Sequence, residues 1–206
     1  QLQSPLLRLP AEIKHVIYKY CLIADETIEN PIANIDGTKF HAVPALGVAL
    51  MQTCRRVYLE VDRRPLFNQN TFCFTTADKA KSFFKTLDHD LRMSIADIEV
   101  DVRELHSDQP DLARDWLQYL AWDDNAFGHG SGSLQTDAPA LRTLRLNFQS
   151  WPRIPLFRQE LWKFLKYAVS GIRGLDRVVI TGASKGLGMA RRDPWSAAHF
   201  VGADNV

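Results

Sequence analysis

Residues 95–102 read IADIEVDV. Apolar Ile98, Val100 and Val102 alternate with Asp97, Glu99 and Asp101. A period of two puts the apolar set on one face of a strand and the carboxylates on the other. Two later stretches share this look, LRTLRLNF at 141–148 and LDRVVITG at 175–182. The segments between them have helical periodicity, so the pattern runs strand, helix, strand, helix, strand. Parallel strands joined by helical crossovers follow from such alternation.

The helices expected between the strands are 78–91, 111–122 and 156–170. In the first, Asp78 is the expected cap, with Ala80, Phe83, Phe84 and Leu87 inward. In the second, Leu112, Trp116, Leu117 and Leu120 mark one face. NTFCFTT at 70–76 reads as a further short strand, and NAFGHGSGSLQTDAPA at 125–140 as a polar, glycine-rich loop. The expected class is α/β, with α+β as the alternative. Uneven unit spacing makes the sheet at most an irregular leucine-rich-repeat-like stack. An ordinary small open α/β sheet is the competing arrangement.

Upstream of residue 70 the pattern is helical. In SPLLRLPAEIKHVIYKYCLI, Pro10 suits a first turn, and Ile13, Val16, Ile17, Tyr20 and Cys21 recur at helical spacing as the expected inward face. A second helix is expected through PALGVALMQTCRRVYLEVD, burying Leu50, Cys54, Val57, Tyr58 and Val61. Residues 25–43 form a hairpin-like insert around the Asp36-Gly37 turn. The division expected is a helical module over 1–74 and a βα layer over 75–206, packed as one unit.

The chain has 206 residues, 46% hydrophobic and 24% charged, with a formal net charge of +1. It is long enough for a real core and too balanced in charge to suggest nucleic acid as a partner. Nothing in it approaches the run of about 20 apolar residues that spans a bilayer, so no membrane partner is expected. Cys21, Cys54 and Cys73 sit among apolar residues and read as buried thiols of an intracellular protein, cytoplasmic or nuclear. The first residue is Gln rather than Met, which implies a natural start further upstream and leaves targeting signals open.

The N-terminal third carries a motif string: Leu9, Pro10, Glu12, Ile13, Ile17 and Tyr18, then Thr53, Cys54, Arg55 and Tyr58, then Pro65, Leu66 and Phe67, then Asn70, Thr71 and Phe72. Over roughly residues 6–74 this resembles the F-box-like domain of many uncharacterised filamentous-fungal proteins. The resemblance implies a helical module that docks on the Skp-type adaptor of a cullin ubiquitin ligase, while a C-terminal domain holds the substrate. The docking residues it implies are Leu9, Pro10, Glu12, Ile13 and Ile17. The competing reading, and the one the residues favour, is that Leu9, Ile13, Ile17 and Cys54 are simply core. The sequence departs from the family pattern in its insert and in carrying Tyr58 where an F-box commonly has Trp.

One motif points elsewhere. VVITGASKGLGMA, 178–190, matches the nucleotide-binding turn of short-chain dehydrogenases through Thr181, Gly182, Gly186 and Gly188. Glycines there let a backbone approach a pyrophosphate at a helix N-terminus. Only 18 residues follow Gly188, Pro194 interrupts them, and no second strand is expected among them. The family's Tyr-x-x-x-Lys pair is also absent. A glycine-rich surface loop that binds no cofactor is therefore the expected reading. A nucleotide-binding oxidoreductase-like fragment is the alternative.

Other candidates are weaker. Asp88-His89-Asp90 sits at a helix end, Glu99 and Asp101 share one strand face, and no histidine set has metal-ligand spacing. Phe127, Trp151 and Trp195 fall in expected loops, as core cover or partner surface. The sequence thus points to a non-enzymatic module whose partner is another protein.

Overall fold

The structure, a computed structural model, describes residues 4–31, 48–101, 110–121, 132–147, 172–181 and 200–202. Its helices are α1 (Pro5–Arg8), α2 (Ala11–Leu22), α3 (Val48–Thr53), α4 (Arg55–Glu60), α5 (Arg64–Asn68), α6 (Ala77–Lys85), α7 (His89–Arg92), α8 (Pro110–Ala121) and α9 (Leu134–Asp137). Its strands are β1 (Ile28–Glu29), β2 (Phe72–Phe74), β3 (Asp97–Asp101), β4 (Thr143–Asn147), β5 (Arg177–Thr181) and β6 (Phe200–Gly202).

The chain is α/β. Among the described residues, the six strands form one sheet in the order β1-β2-β3-β4-β5-β6, and every neighbouring pair is parallel. The register aligns Ile98, Leu144 and Val178 in one row, and Glu99, Arg145 and Val179 in the next. Alternation along β3 and β4 does what the sequence demands. Ile98, Val100, Leu144 and Leu146 are buried with Phe83 and Phe84 of α6 and Trp116, Tyr119 and Leu120 of α8. These two helices therefore cover the same sheet face. The opposite face carries Asp97 and Glu99 beside Arg145 and Asn147.

The core is aromatic at its centre. Phe83 lies 5.2 Å from Phe72, 5.4 Å from Phe74 and 5.4 Å from Phe84, centroid to centroid. Such tilted and edge-on pairs add to the area they bury. Polar tips of buried rings are satisfied: Tyr119 donates to Asp137 at 2.8 Å, tying α8 to α9. Burial first, and the carboxylate second, push the Tyr119 hydroxyl far above its ordinary pKa.

Two asparagines close the joints between helices and sheet. Asn70 is buried, donates to the carbonyls of Leu22 at 2.7 Å and Leu66 at 2.8 Å, and accepts from the Ala24 amide at 2.7 Å. One side chain thus satisfies the ends of α2 and α5 and fixes the chain entering β1. Asn30 takes the left-handed conformation (φ 42°) that asparagine tolerates, donates its amide to Cys73 and accepts from the Thr75 amide at 3.2 Å. It ends β1 while continuing its bonding to β2.

Several expectations need correction. The second helix is not continuous: Cys54 is extended (φ −162°, ψ 156°), separating α3 from α4, and Tyr58 is exposed. Helix 78–91 is two helices, α6 and α7, and α6 is capped by Thr76, whose hydroxyl accepts from the Lys79 amide, rather than by Asp78. The expected loop at 125–140 contains α9, capped by Ser133. Within the expected hairpin insert, Ile28–Glu29 joins β2 in parallel, because its two residues complete the sheet edge; the Asp36-Gly37 turn lies outside the described residues. A strand does follow Gly188: β6 pairs with β5. Of the three thiols only Cys73 is buried; Cys21 and Cys54 are half-buried, Cys54 packed at the edge of the small core that Leu22 and Val57 share. Helix 156–170 lies outside the described residues, as do Phe127, Trp151 and Trp195.

Candidate interaction surface

Helix α2 is built inside out. Its buried positions are Lys14, Tyr18 and Leu22, spaced four apart on one face. Tyr18 and Leu22 meet Leu7, Val57 and Val61 in a small core distinct from the aromatic one. Lys14 is only 6% exposed. Its ammonium donates to Glu60 of α4 at 2.6 Å, and Arg56 donates to the other carboxylate oxygen at 2.7 Å. The Tyr18 hydroxyl reaches the same carboxylate at 3.4 Å. Donation from Lys14 first, then Arg56, holds the Glu60 carboxyl at about 2 against an ordinary 4.5. Burial, and then Glu60, raise the Tyr18 hydroxyl.

The apolar face of α2 points the other way. Ile13 is 49% exposed, Val16 52% and Tyr20 78%, and Leu9 just before the helix is 36% exposed. The residues implied as docking positions divide accordingly. Leu9, Pro10, Glu12 and Ile13 are at the surface, and Ile17 is half-buried at the flank. Val16 and Tyr20 belong to the same outward stripe. Periodicity picks out this stripe but not its direction. The competing face, Lys14–Tyr18–Leu22, is polar at two of its three positions and is recognisable only once Glu60 is placed opposite. On α4, Leu59 is exposed as well, and the Arg63 guanidinium lies 4.3 Å from the Tyr58 ring centroid.

The remaining candidates carry less chemistry. Thr181 ends β5, and Gly182, Gly186 and Gly188 lie outside the described residues. Dinucleotides bind open α/β sheets where the strand order reverses and leaves a crevice. Among the described residues the strand order runs in sequence without a reversal. The strand carboxylates are engaged: Asp97 accepts from Arg145 at 2.7–3.0 Å, and Glu99 accepts from Asn147 at 3.1 Å. Donation to Asp97 holds Arg145 more firmly in its charged form. Asp88 and Asp90 line a cleft of about 590 Å³ with Arg63, Arg64, Leu91 and Met93, a mixed-charge surface with no nucleophile beside a base. Among the described residues no group of three or more His, Cys, Asp or Glu is placed to hold a metal, and no helix is long and apolar enough to cross a membrane.

A scan of family models, a search of curated proteins and a search of solved structures each return no match.

Proposed function

We propose that the chain is a non-enzymatic protein-interaction module that docks a partner on the outward face of α2. The observation that carries this reading is the inverted helix: an apolar stripe at Ile13, Val16 and Tyr20 faces solvent while Lys14 is buried behind it. Exposed apolar stripes of this kind mark contact surfaces. The finer reading is an F-box-like adaptor that recruits substrates to a ubiquitin ligase, with Leu9, Pro10, Glu12, Ile13 and Ile17 meeting a Skp-type adaptor in the cell interior. The in-sequence strand order supports the companion reading of residues 75–206 as an irregular leucine-rich-repeat-like layer, since stacked units place each strand beside its sequence neighbours.

The experiment is a pull-down of purified Skp-type adaptor with the wild-type chain and with Ile13→Asp. Retention by the wild type and loss in the variant, both folded by circular dichroism, is the expected result. No retention by either removes the adaptor reading.

A second reading, a nucleotide-binding oxidoreductase-like fragment using Thr181, Gly182, Gly186 and Gly188, draws support from β6, which gives the glycine turn the following parallel strand it needs. Calorimetric titration with NAD and NADP decides it. Micromolar binding that vanishes in Gly182→Val would establish this reading. Absence of heat is the outcome expected from a sheet without a reversal of strand order.

A further inference from the structure

The outward face of α2 is self-complementary, and the geometry points to a second copy of this chain as its occupant when no other partner is bound. This inference rests on the reading of that face as a docking surface. Around the helix, Ile13, Val16 and Tyr20 lie together, opposite the buried Lys14–Tyr18–Leu22 row. The flanks of the stripe differ. One carries half-buried Ile17 and Cys21, and the other carries exposed Glu12 and Lys19. At 100° per residue, Glu12 and Lys19 sit about 20° apart on the same flank, two turns from each other along the axis.

Pairing about a two-fold axis makes two such helices antiparallel and brings like flanks together. With the axis beside Val16 and Ile17, Ile13 of one copy meets Tyr20 of the other, and Val16 meets its own counterpart. In the same register Glu12 of each copy comes within a turn of Lys19 of the other. The two ends of the helix therefore match in both apolarity and charge. A parallel pairing would set Glu12 against Glu12 and Lys19 against Lys19. Among the described residues neither Glu12 nor Lys19 forms an ion pair within its own chain, so both are free to make the crossed contact. One 12-residue helix per copy makes a small interface, in the weak and transient class below about 1,200 Å². A partner with a larger footprint displaces it, so self-pairing shields the stripe until that partner arrives.

The test is analytical ultracentrifugation of the purified 206-residue chain, without any adaptor, from micromolar to near-millimolar concentration. The expected result is a concentration-dependent monomer–dimer equilibrium that Ile13→Asp abolishes. Glu12→Lys alone and Lys19→Glu alone each weaken the dimer, by about tenfold, because two crossed attractions become repulsions. The double variant Glu12→Lys/Lys19→Glu restores it. A chain that stays monomeric throughout overturns the inference. So does a dimer indifferent to Ile13→Asp, and so does a double variant no better than the singles. Failure here leaves the adaptor pull-down untouched, and a failed pull-down leaves this equilibrium untouched.

Discussion

The two layers of this molecule use their apolar residues in opposite ways. In the α/β layer, α6 and α8 turn Phe83, Phe84, Trp116 and Leu120 inward onto the sheet. In the helical layer, α2 turns Ile13, Val16 and Tyr20 outward and buries a lysine. The first layer is held by a large aromatic core, the second by a small apolar core of Leu7, Leu22, Val57 and Val61 with the Lys14–Glu60–Arg56 ion cluster beside it. The contrast teaches that apolar periodicity marks a face that needs covering, without saying whether the chain itself supplies the cover.

The sharpest way to probe the contrast is to delete mass from the aromatic core. Phe84 is fully buried and packs on Phe74 and Phe83. Phe84→Ala is expected to cost about 3–5 kcal/mol, through lost transfer energy and the cavity left behind. Equilibrium denaturation in urea measures it. A loss much below 1 kcal/mol would mean the layer is not packed as described.

Asn70 tests the polar joint between the layers. Asn70→Ala strips partners from the Leu22 and Leu66 carbonyls and the Ala24 amide. Since each buried unpaired group costs about 1–3 kcal/mol, partly relieved by water, a loss of about 3 kcal/mol is expected. Asn70→Asp keeps the acceptor for Ala24 but loses both donated bonds, so it should be no better. Recovery of stability in Asn70→Asp would show that the donated bonds contribute little.

A smaller, pH-dependent effect belongs to Glu60. Its carboxyl is depressed to about 2 in the folded chain. A carboxylate whose folded pKa lies below its unfolded value stabilises the fold above the unfolded value, and that contribution is lost as pH falls through the folded one. Thermal melts of the wild type should therefore lose stability between about pH 4.5 and pH 2, and Glu60→Gln should remove part of that slope. An identical slope in both would mean that Lys14 and Arg56 do not hold the carboxylate.

Much of the sheet was legible because β3 and β4 obey the period-two rule, whereas β5 reads as a strand by its unbroken Val178-Val179-Ile180 run, with both valines buried. β1, with two residues, is too short to show a period, and the FVG of β6 lacks the flanking threonines that mark the equally short β2. The break at Cys54 was hidden because helical spacing continues across it, in register, from Leu50 to Val57. The candidate surface was half legible. Leu9, Pro10, Glu12 and Ile13 stood out by motif, whereas Val16 and Tyr20 were assigned to the interior. Their apolarity looked like a core, and the polar residues that form the actual contact, Lys14 and Tyr18, looked like a surface. Burial of a charge is decided by a partner 46 positions away in sequence, and no local pattern reports it.

The smallest effect on stability discriminates best between the two layers. In the α/β layer a carboxylate placed at Phe84 would be an unpaired charge in the core and would unfold the chain. At Ile13 the same change should cost no more than about 0.5 kcal/mol, as surface substitutions away from special features do. The reason is local: Ile13 lies opposite Lys14–Tyr18–Leu22, belongs to neither buried cluster, and is half exposed to water already. Dilute samples must be used, so that any pairing through α2 does not add stability of its own. An unchanged melting temperature for Ile13→Asp would place the stripe outside the fold's own energetics, free to serve a partner. A loss of several kcal/mol would instead return Ile13 to the interior and erase the difference between the layers on which the proposed docking face depends.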